Sequence, residues 1–371
     1  MDNKTPPIFS PDWISPPGDT IADLLEERDW TQAQLAERLG YTTKHVSQLI
    51  NGKAPISEHT AIRLEHVLGS SVRFWLNREA LYRAQLVSIE ETSRLQSWIP
   101  WLDLLPVKDL MHQGIIPEYR LVAKNKPKVV KSLLQFFSVS SPEEWEGIYS
   151  DMAYDFRRTR ESQSNVGAIS AWIRQGETIA EQLDCPKYNR SKFEKAVKQF
   201  RRLTLSEPQS FIPTIQALCQ ESGVAFVIVP SIPRAHVSGM ARWLNPHKAL
   251  IQVSLYGKKN DLFWFTLFHE AAHILFHEKK HIFLDEWDSQ PSVSSDKENE
   301  ANQWARDFLI PPEYEPDLPR LSNKKLVVNF SRTIGVHPAI VVGRLQHDGF
   351  IRANQLNALK VRIPDVSFRL K

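Results

Sequence analysis

The run His269-Glu270-Ala271-Ala272-His273 places two imidazoles and a carboxylate within five positions. On a helix, side chains four apart lie about 40° from one another, so both rings can reach a single ion. Zinc suits such a nitrogen pair, and the water it holds has a pKa lowered to roughly 7. Glu270, one step round the helix, would lie beside the open coordination position, where a carboxylate can take that water's proton. The chemistry spelled out is hydrolysis by metal-activated water, with Zn2+ as cofactor, His269 and His273 as metal ligands and Glu270 as catalytic base.

A catalytic zinc needs a third protein ligand. A His-x-x-Gly-x-x-His continuation would require Gly at Phe276 and His at Lys279, and neither is present. An acid from a later helix remains, and Glu298 and Glu300 are the candidates. At about 100° per residue, Ala301, Trp304, Ala305, Phe308 and Leu309 share one face. Glu298 lies roughly 50° from its centre and Glu300 roughly 110° away. Glu298 is therefore the preferred ligand, with Asn302 one turn on as a hydrogen-bonding support. His277 falls four residues after His273 and either lines the site or caps the helix. Tyr256, Arg242 and His277 are candidate oxyanion donors, with no ground for choosing among them.

These residues need a scaffold, and the hydrophobic pattern supplies one. Short β-branched and aromatic runs at 225–229, 240–244 and 249–255, broken by Pro and Gly, predict strands. The last of them could offer its edge to an extended peptide. Helices are predicted from about 260 to 278 and from about 296 to 310, where Pro311-Pro312 stops the second. The first is apolar all round, which requires burial. One or two further helices and a basic end follow over 320–371.

Upstream, residues 85–222 read as helices punctuated by prolines. Residues 18–84 read as short amphipathic helices with tight turns. Within these, Thr31 is a natural N-cap for a helix with Leu35, Ala36 and Leu39 on one face, and Gly40 supplies a left-handed stop. The next helix turns Val46, Leu49 and Ile50 inward. Thr42, Thr43, Lys44, Ser47 and Gln48 then project outward, a set able to read base edges in a major groove. Gln32 could meet a phosphate at the start of the preceding helix. Residues 19–65 carry eight acids and five bases, yet 42–53 holds Lys44, His45 and Lys53 with no acid. Weak attraction per module favours a homodimer on two half-sites.

Pro17-Gly18, Gln32-Ala33-Gln34-Leu35-Ala36, Asn51-Gly52-Lys53, Thr60-Ala61-Ile62-Arg63-Leu64 and Phe74-Trp75-Leu76-Asn77 resemble the HigA-type antitoxins of bacterial toxin–antitoxin modules. That resemblance implies an XRE-like repressor of its own operon, a homodimer and a HigB-like ribonuclease toxin as partner. Residues 239–244, Phe263-Trp264-Phe265-Thr266, the histidine pentad, 298–305 and Ile310-Pro311-Pro312 resemble the ImmA/IrrE family of zinc peptidase-like domains. Trp304-Ala305 stands where family members often carry Phe-Ala. By that similarity His269, His273 and Glu298 hold zinc, Glu270 is the base, and a repressor protein is the substrate or partner.

At 371 residues the chain exceeds one hydrophobic core. The expected fold is multidomain: an all-α helix-turn-helix domain at 1–84, a helical linker or dimerisation region at 85–205, and an α+β zincin-like (gluzincin-type) peptidase domain at 206–371. With 42% hydrophobic and 24% charged residues the composition excludes general disorder, while a net charge of +3 names no partner. Two cysteines and no secretory signal point to the cytoplasm and to buried thiols. No apolar run approaches the roughly 18–20 residues of a membrane span. The basic stretch 187–202 reads as a solvated helix face in preference to a phosphate track. Trp98, Trp101, Trp145 and Trp172 read as core or dimer contacts. Two functions fit these readings: a regulator of operator DNA that is also a zinc endopeptidase, or a non-catalytic antitoxin and autorepressor whose zinc domain serves partner binding or stability.

Overall fold

A computed structural model describes residues 15–149, 166–278, 283–286 and 296–364. The chain forms two compact units, one ending at Trp98 and the other starting at Ile99. In the first unit run α1 (Pro17–Glu27), α2 (Gln32–Leu39), α3 (Thr43–Ile50), α4 (Glu58–Leu68) and α5 (Val72–Ser97). Thr31 and Gln34 form a reciprocal capping box on α2, and Gly40 takes φ 67°, a left-handed stop that a side chain would strain. Leu35, Ala36, Leu39, Val46, Leu49, Leu64 and Trp75 build the core. Helix α5 runs unbroken across residues 84 and 85, where the sequence suggested a boundary. No Gly or Pro interrupts it, so nothing stops it until Trp98.

The second unit begins with α6 (Val107–His112), α7 (Lys126–Phe137) and a helical stretch over 142–149. Trp101, Phe137, Trp145 and Tyr149 pack there in edge-to-face and tilted pairs. With the buried Trp172 this makes three of the four singled-out tryptophans core residues, while Trp98 is half-buried. Next come α8 (Val166–Gln182), α9 (Arg190–Leu203) and α10 (Pro208–Glu221). Helix α9 buries Phe193, Ala196, Val197 and Phe200 and turns Lys192, Lys195, Lys198 and Arg202 to solvent. Arg201 instead reaches the carbonyls of Phe308, Leu309 and Ile334.

A four-stranded sheet follows, in the order β1 (Val224–Ile228), β3 (Lys248–Val253), β2 (Val237–Asn245), β4 (Phe283–Glu286). Strands β1 and β3 are parallel, and β2 is antiparallel to both β3 and β4. The expected peptide-binding edge at 249–255 is therefore incorrect. Strand β3 is paired on both sides, so its backbone donors and acceptors are already engaged. Among the described residues the edges are β1 and β4. Strand β4 had no counterpart in the sequence reading, because four residues carry too little alternation to register.

Alternation divides the sheet's faces. Ala249, Ile251 and Val253 join the core beneath α10 and α11 (Asn260–Phe276), while Gln252 on the other face donates to the Trp172 carbonyl of α8 at 2.7 Å. Helix α11 is buried along nearly its whole length, between the sheet, α12 (Asp296–Leu309) and α14 (Pro338–His347). This explains its lack of a polar face. Its first turn is strapped by a distant segment. Asp261 pairs with Lys360 at 2.5 Å with both side chains buried, Asn260 exchanges two 3.0 Å hydrogen bonds with Val361, and Ile363 donates to the Lys258 carbonyl. Helix α13 (Lys324–Ile334) precedes α14. No single helix among the described residues is long and apolar enough to cross a membrane. Cys219 is buried and Cys185 only half-buried, both as free thiols. The expectation that both are buried therefore holds for one of them. The expected basic end lies largely outside the described residues.

A candidate metal centre and a candidate DNA-reading helix

Helix α11 presents His269 and His273 on one stripe, one turn apart, with their Nε2 atoms 2.9 Å from each other. Helix α12 brings Glu298 across to them: one carboxylate oxygen lies 3.1 Å from His269 Nε2 and the other 3.4 Å from His273 Nε2. Among the described residues, these three form a group whose donor atoms all lie within 4.8 Å of one another. Glu300 is not part of it. The buried face of α12, with Ala301, Ala305 and Leu309 inside, turns Glu298 toward α11 and leaves Glu300 61% exposed.

The donor set fits zinc on geometric grounds. Ligands at about 2.0–2.1 Å in a tetrahedron stand roughly 3.3 Å apart, close to the separations seen here. The charge states fit as well. Burial pushes the His273 imidazole down to about 4, so its ring is neutral with a lone pair to give. Burial alone would raise the Glu298 carboxyl, but the close contacts with the His269 and His273 rings outweigh it and hold it well below the usual carboxylate range. A neutral His273 ring and a single carboxylate from Glu298 leave a bound dication with net positive charge, as polarisation of a bound water requires.

The His273 shift carries a pH prediction for the metal-free chain. A neutral ring is favoured in the folded state, so its stabilisation is complete above the ordinary value of 6.5 and is lost as the pH falls toward 4. Unfolding by urea should show a decline on the order of 3 kcal/mol across that window. A flat profile there would contradict a buried neutral imidazole.

Glu270 is fully buried one position from His269. Its carboxylate lies against the backbone of β2. A methyl group at Gly239 would come within 2.5 Å of a Glu270 oxygen and 2.4 Å of the Thr266 side chain. Gly239 is thus what lets the strand approach the carboxylate, and a glycine inside a strand is the signal that could have marked it.

Two candidate oxyanion donors are removed. Arg242 points to the opposite face of the sheet, where it pairs with Glu177 of α8, because strand alternation separates it from Gly239 and Ala241. The ring of His277 is engaged by His273 and Glu300. Tyr256 opens the tight turn Tyr256–Lys258, and its side chain lies outside the description. Helix α11 ends at Phe276, earlier than expected, so His277 occupies the C-cap with extended backbone instead of continuing the histidine stripe.

In the N-terminal unit, α3 exposes Thr43, Lys44 and Gln48 and half-buries Ser47. Thr42 is its N-cap, with the side chain accepting from the His45 N–H at 3.2 Å, so this hydroxyl oxygen is engaged in capping the start of the helix. Gln32 is exposed at the first position of α2, and Lys53 is exposed just after α3. Arg28 donates to the carbonyls of Val67 and Leu68, Arg63 to that of Leu39, and Arg38 stacks on Trp30. Three of the five bases within 19–65 therefore also make structural contacts, and Lys44 and Lys53 are exposed on and just after α3.

Comparison with known proteins agrees with both halves. Residues 21–75 match the family described as Helix-turn-helix, and residues 244–346 match the peptidase family described as IrrE N-terminal-like domain. Over 81 residues the chain is 33% identical to the Uncharacterized HTH-type transcriptional regulator YddM of Escherichia coli (strain K12), covering 22% of this chain and 86% of that protein. A solved structure from Nostoc punctiforme PCC 73102, described as a candidate antidote protein of a plasmid maintenance system, is 38% identical. It covers 20% of this chain and 86% of its own, with a TM-score of 0.19. The fold and site define a DNA-binding regulator module joined to an IrrE-like domain with a cluster of residues able to hold a metal ion. The chain belongs to the helix-turn-helix transcriptional regulators, here carrying an IrrE N-terminal-like domain.

Proposed function

We propose that this regulator binds operator DNA as a homodimer and that its residues 206–371 form a zinc-dependent endopeptidase acting on a regulatory protein. The observation that carries the reading is the convergence of His269, His273 and Glu298 beside a buried Glu270. His269 Nε2, His273 Nε2 and a Glu298 oxygen would hold the zinc, which when bound polarises a water and the scissile carbonyl. Glu270 takes the proton of the attacking water and returns it to the leaving amine. The substrate would lie extended along β4, which among the described residues is an edge strand and whose partner β2 carries Gly239. On the DNA side, Thr43, Lys44, Ser47 and Gln48 face base edges while Gln32 and Lys53 contact phosphates.

The antitoxin-like residues of the N-terminal module, Asn51-Gly52-Lys53 and Phe74-Trp75-Leu76-Asn77 among them, favour a second reading. In it the chain is a HigA-like autorepressor with a toxin partner, and the zinc domain serves binding or stability. One experiment separates the two. The purified chain is mixed with its own upstream DNA and with the proteins encoded beside it, with and without a zinc chelator, and new protein termini are mapped by mass spectrometry. Termini that appear only without chelator support the endopeptidase. Operator binding with no new termini under either condition leaves the second reading in its place.

Two variants probe the halves separately. Lys44→Ala should weaken operator binding about tenfold and reduce the slope of log affinity against log salt by about 1. An unchanged isotherm would remove Lys44 from the interface. Gly239→Ala must displace the Glu270 carboxylate, and a misplacement of about 1 Å costs on the order of 10²-fold in rate. Zinc content should stay near one per chain in that variant, measured by atomic emission. Full cleavage activity in it would show that the approach of β2 does not position the base.

A further inference from the structure

His277 and Glu300 stand just outside the ligand set, on the side of His273 that faces away from it. Backbone and side chain both place His277. At the C-cap of α11 it has φ −102° and ψ 162°, and its N–H donates to the His273 carbonyl at 3.2 Å. Its ring is 3% exposed, with Nδ1 2.8 Å from His273 Nδ1 and Nε2 3.2 Å from a Glu300 oxygen. Glu298 and Glu300, two residues apart on α12, thus reach the two ends of one chain of rings.

We propose that His277 and Glu300 are positioning residues that fix the tautomer and orientation of His273. The inference rests on the metal-binding reading of the site. The argument is one of hydrogen counting. Between two Nδ1 atoms at 2.8 Å only one can carry the hydrogen. For His273 to offer its Nε2 lone pair, its proton must sit on Nδ1 and be donated to His277. His277 Nδ1 must then accept, which puts the His277 proton on Nε2, pointing at Glu300. A carboxylate only accepts there, so it selects this direction. The opposite direction would place the His273 proton on Nε2, aimed at His269 and Glu298, and would obstruct the ligand position. The far carboxylate therefore decides the state of a ring it does not touch, as outer partners of metal-bound imidazoles do.

The test uses the full-length protein, with zinc affinity measured by competition with a chromophoric chelator and with the visible absorption of the Co2+-substituted chain. Glu300→Ala and His277→Phe should each weaken zinc binding by about 10–100-fold. The double variant should lose no more than the weaker single variant, because both act through one chain. Glu300→Gln, whose amide oxygen can still accept, should recover most of the loss. The cobalt bands should shift in His277→Phe. Glu300 is on the surface, so its variants carry the test even where His277→Phe fails to fold. A zinc-binding wild type whose affinity is unchanged in Glu300→Ala, or whose losses add in the double variant, overturns this proposal alone. A wild type that takes up no more zinc than His269→Ala overturns the metal reading and this proposal with it.

Discussion

Glu270→Gln should leave zinc stoichiometry and operator affinity at wild-type values while slowing peptide-bond cleavage by about 10³-fold. The substitution exchanges one oxygen for an amide nitrogen at nearly constant volume, which matters at a fully buried position. It removes the proton acceptor and leaves His269, His273 and Glu298 themselves unchanged. General-base contributions of this kind span roughly 10²–10⁴-fold, and a base held by packing against β2 should fall within that range. The measurement is single-turnover cleavage of the substrate found by terminus mapping, beside zinc analysis of the same preparation. Undiminished cleavage would assign the proton transfer elsewhere. Wild-type regulation without cleavage in either protein would favour the autorepressor.

His269→Ala should reduce zinc affinity by more than about 10³-fold, well beyond the 10–100-fold expected of an outer partner. His269 is 1% exposed and its Nε2 lies within hydrogen-bonding distance of both His273 and Glu298. Its removal takes away one of three donors and leaves an ionised, half-buried carboxylate with one fewer partner, so the metal-free variant should also unfold at lower urea. Chelator competition and urea titration measure the two effects. Near-wild-type zinc affinity would mean that the ion binds elsewhere.

Much of this arrangement is legible in the chain because it is local. The capping box at Thr31 and Gln34, the stop at Gly40 and the i, i+4 histidines depend on neighbours a few positions away. The distinction between Glu298 and Glu300 follows from which face of one helix is apolar. What was not legible depends on pairing across distance. Strand β3 was read as an edge because its partners, β1 and β2, are set by tertiary packing and not by its own residues. Arg242 was placed near the chemistry until alternation along β2 put it on the face toward α8. That Thr42 caps α3 was not legible either, because an N-cap is defined by where the helix begins. The links from Glu300 to His277 and from Gly239 to Glu270 join separate elements, and no local pattern announces them.

The strap on the first turn of α11 sets an order of events during synthesis. Asp261 is buried and meets its cation only at Lys360, about a hundred positions later. A ribosome has made the whole regulator module and both imidazoles well before it reaches that lysine. Until then the helix lacks its anchor, and a lone buried carboxylate disfavours the packed form. Packing of the IrrE-like half is thereby deferred until translation has passed Lys360, after the helix-turn-helix half has had time to fold.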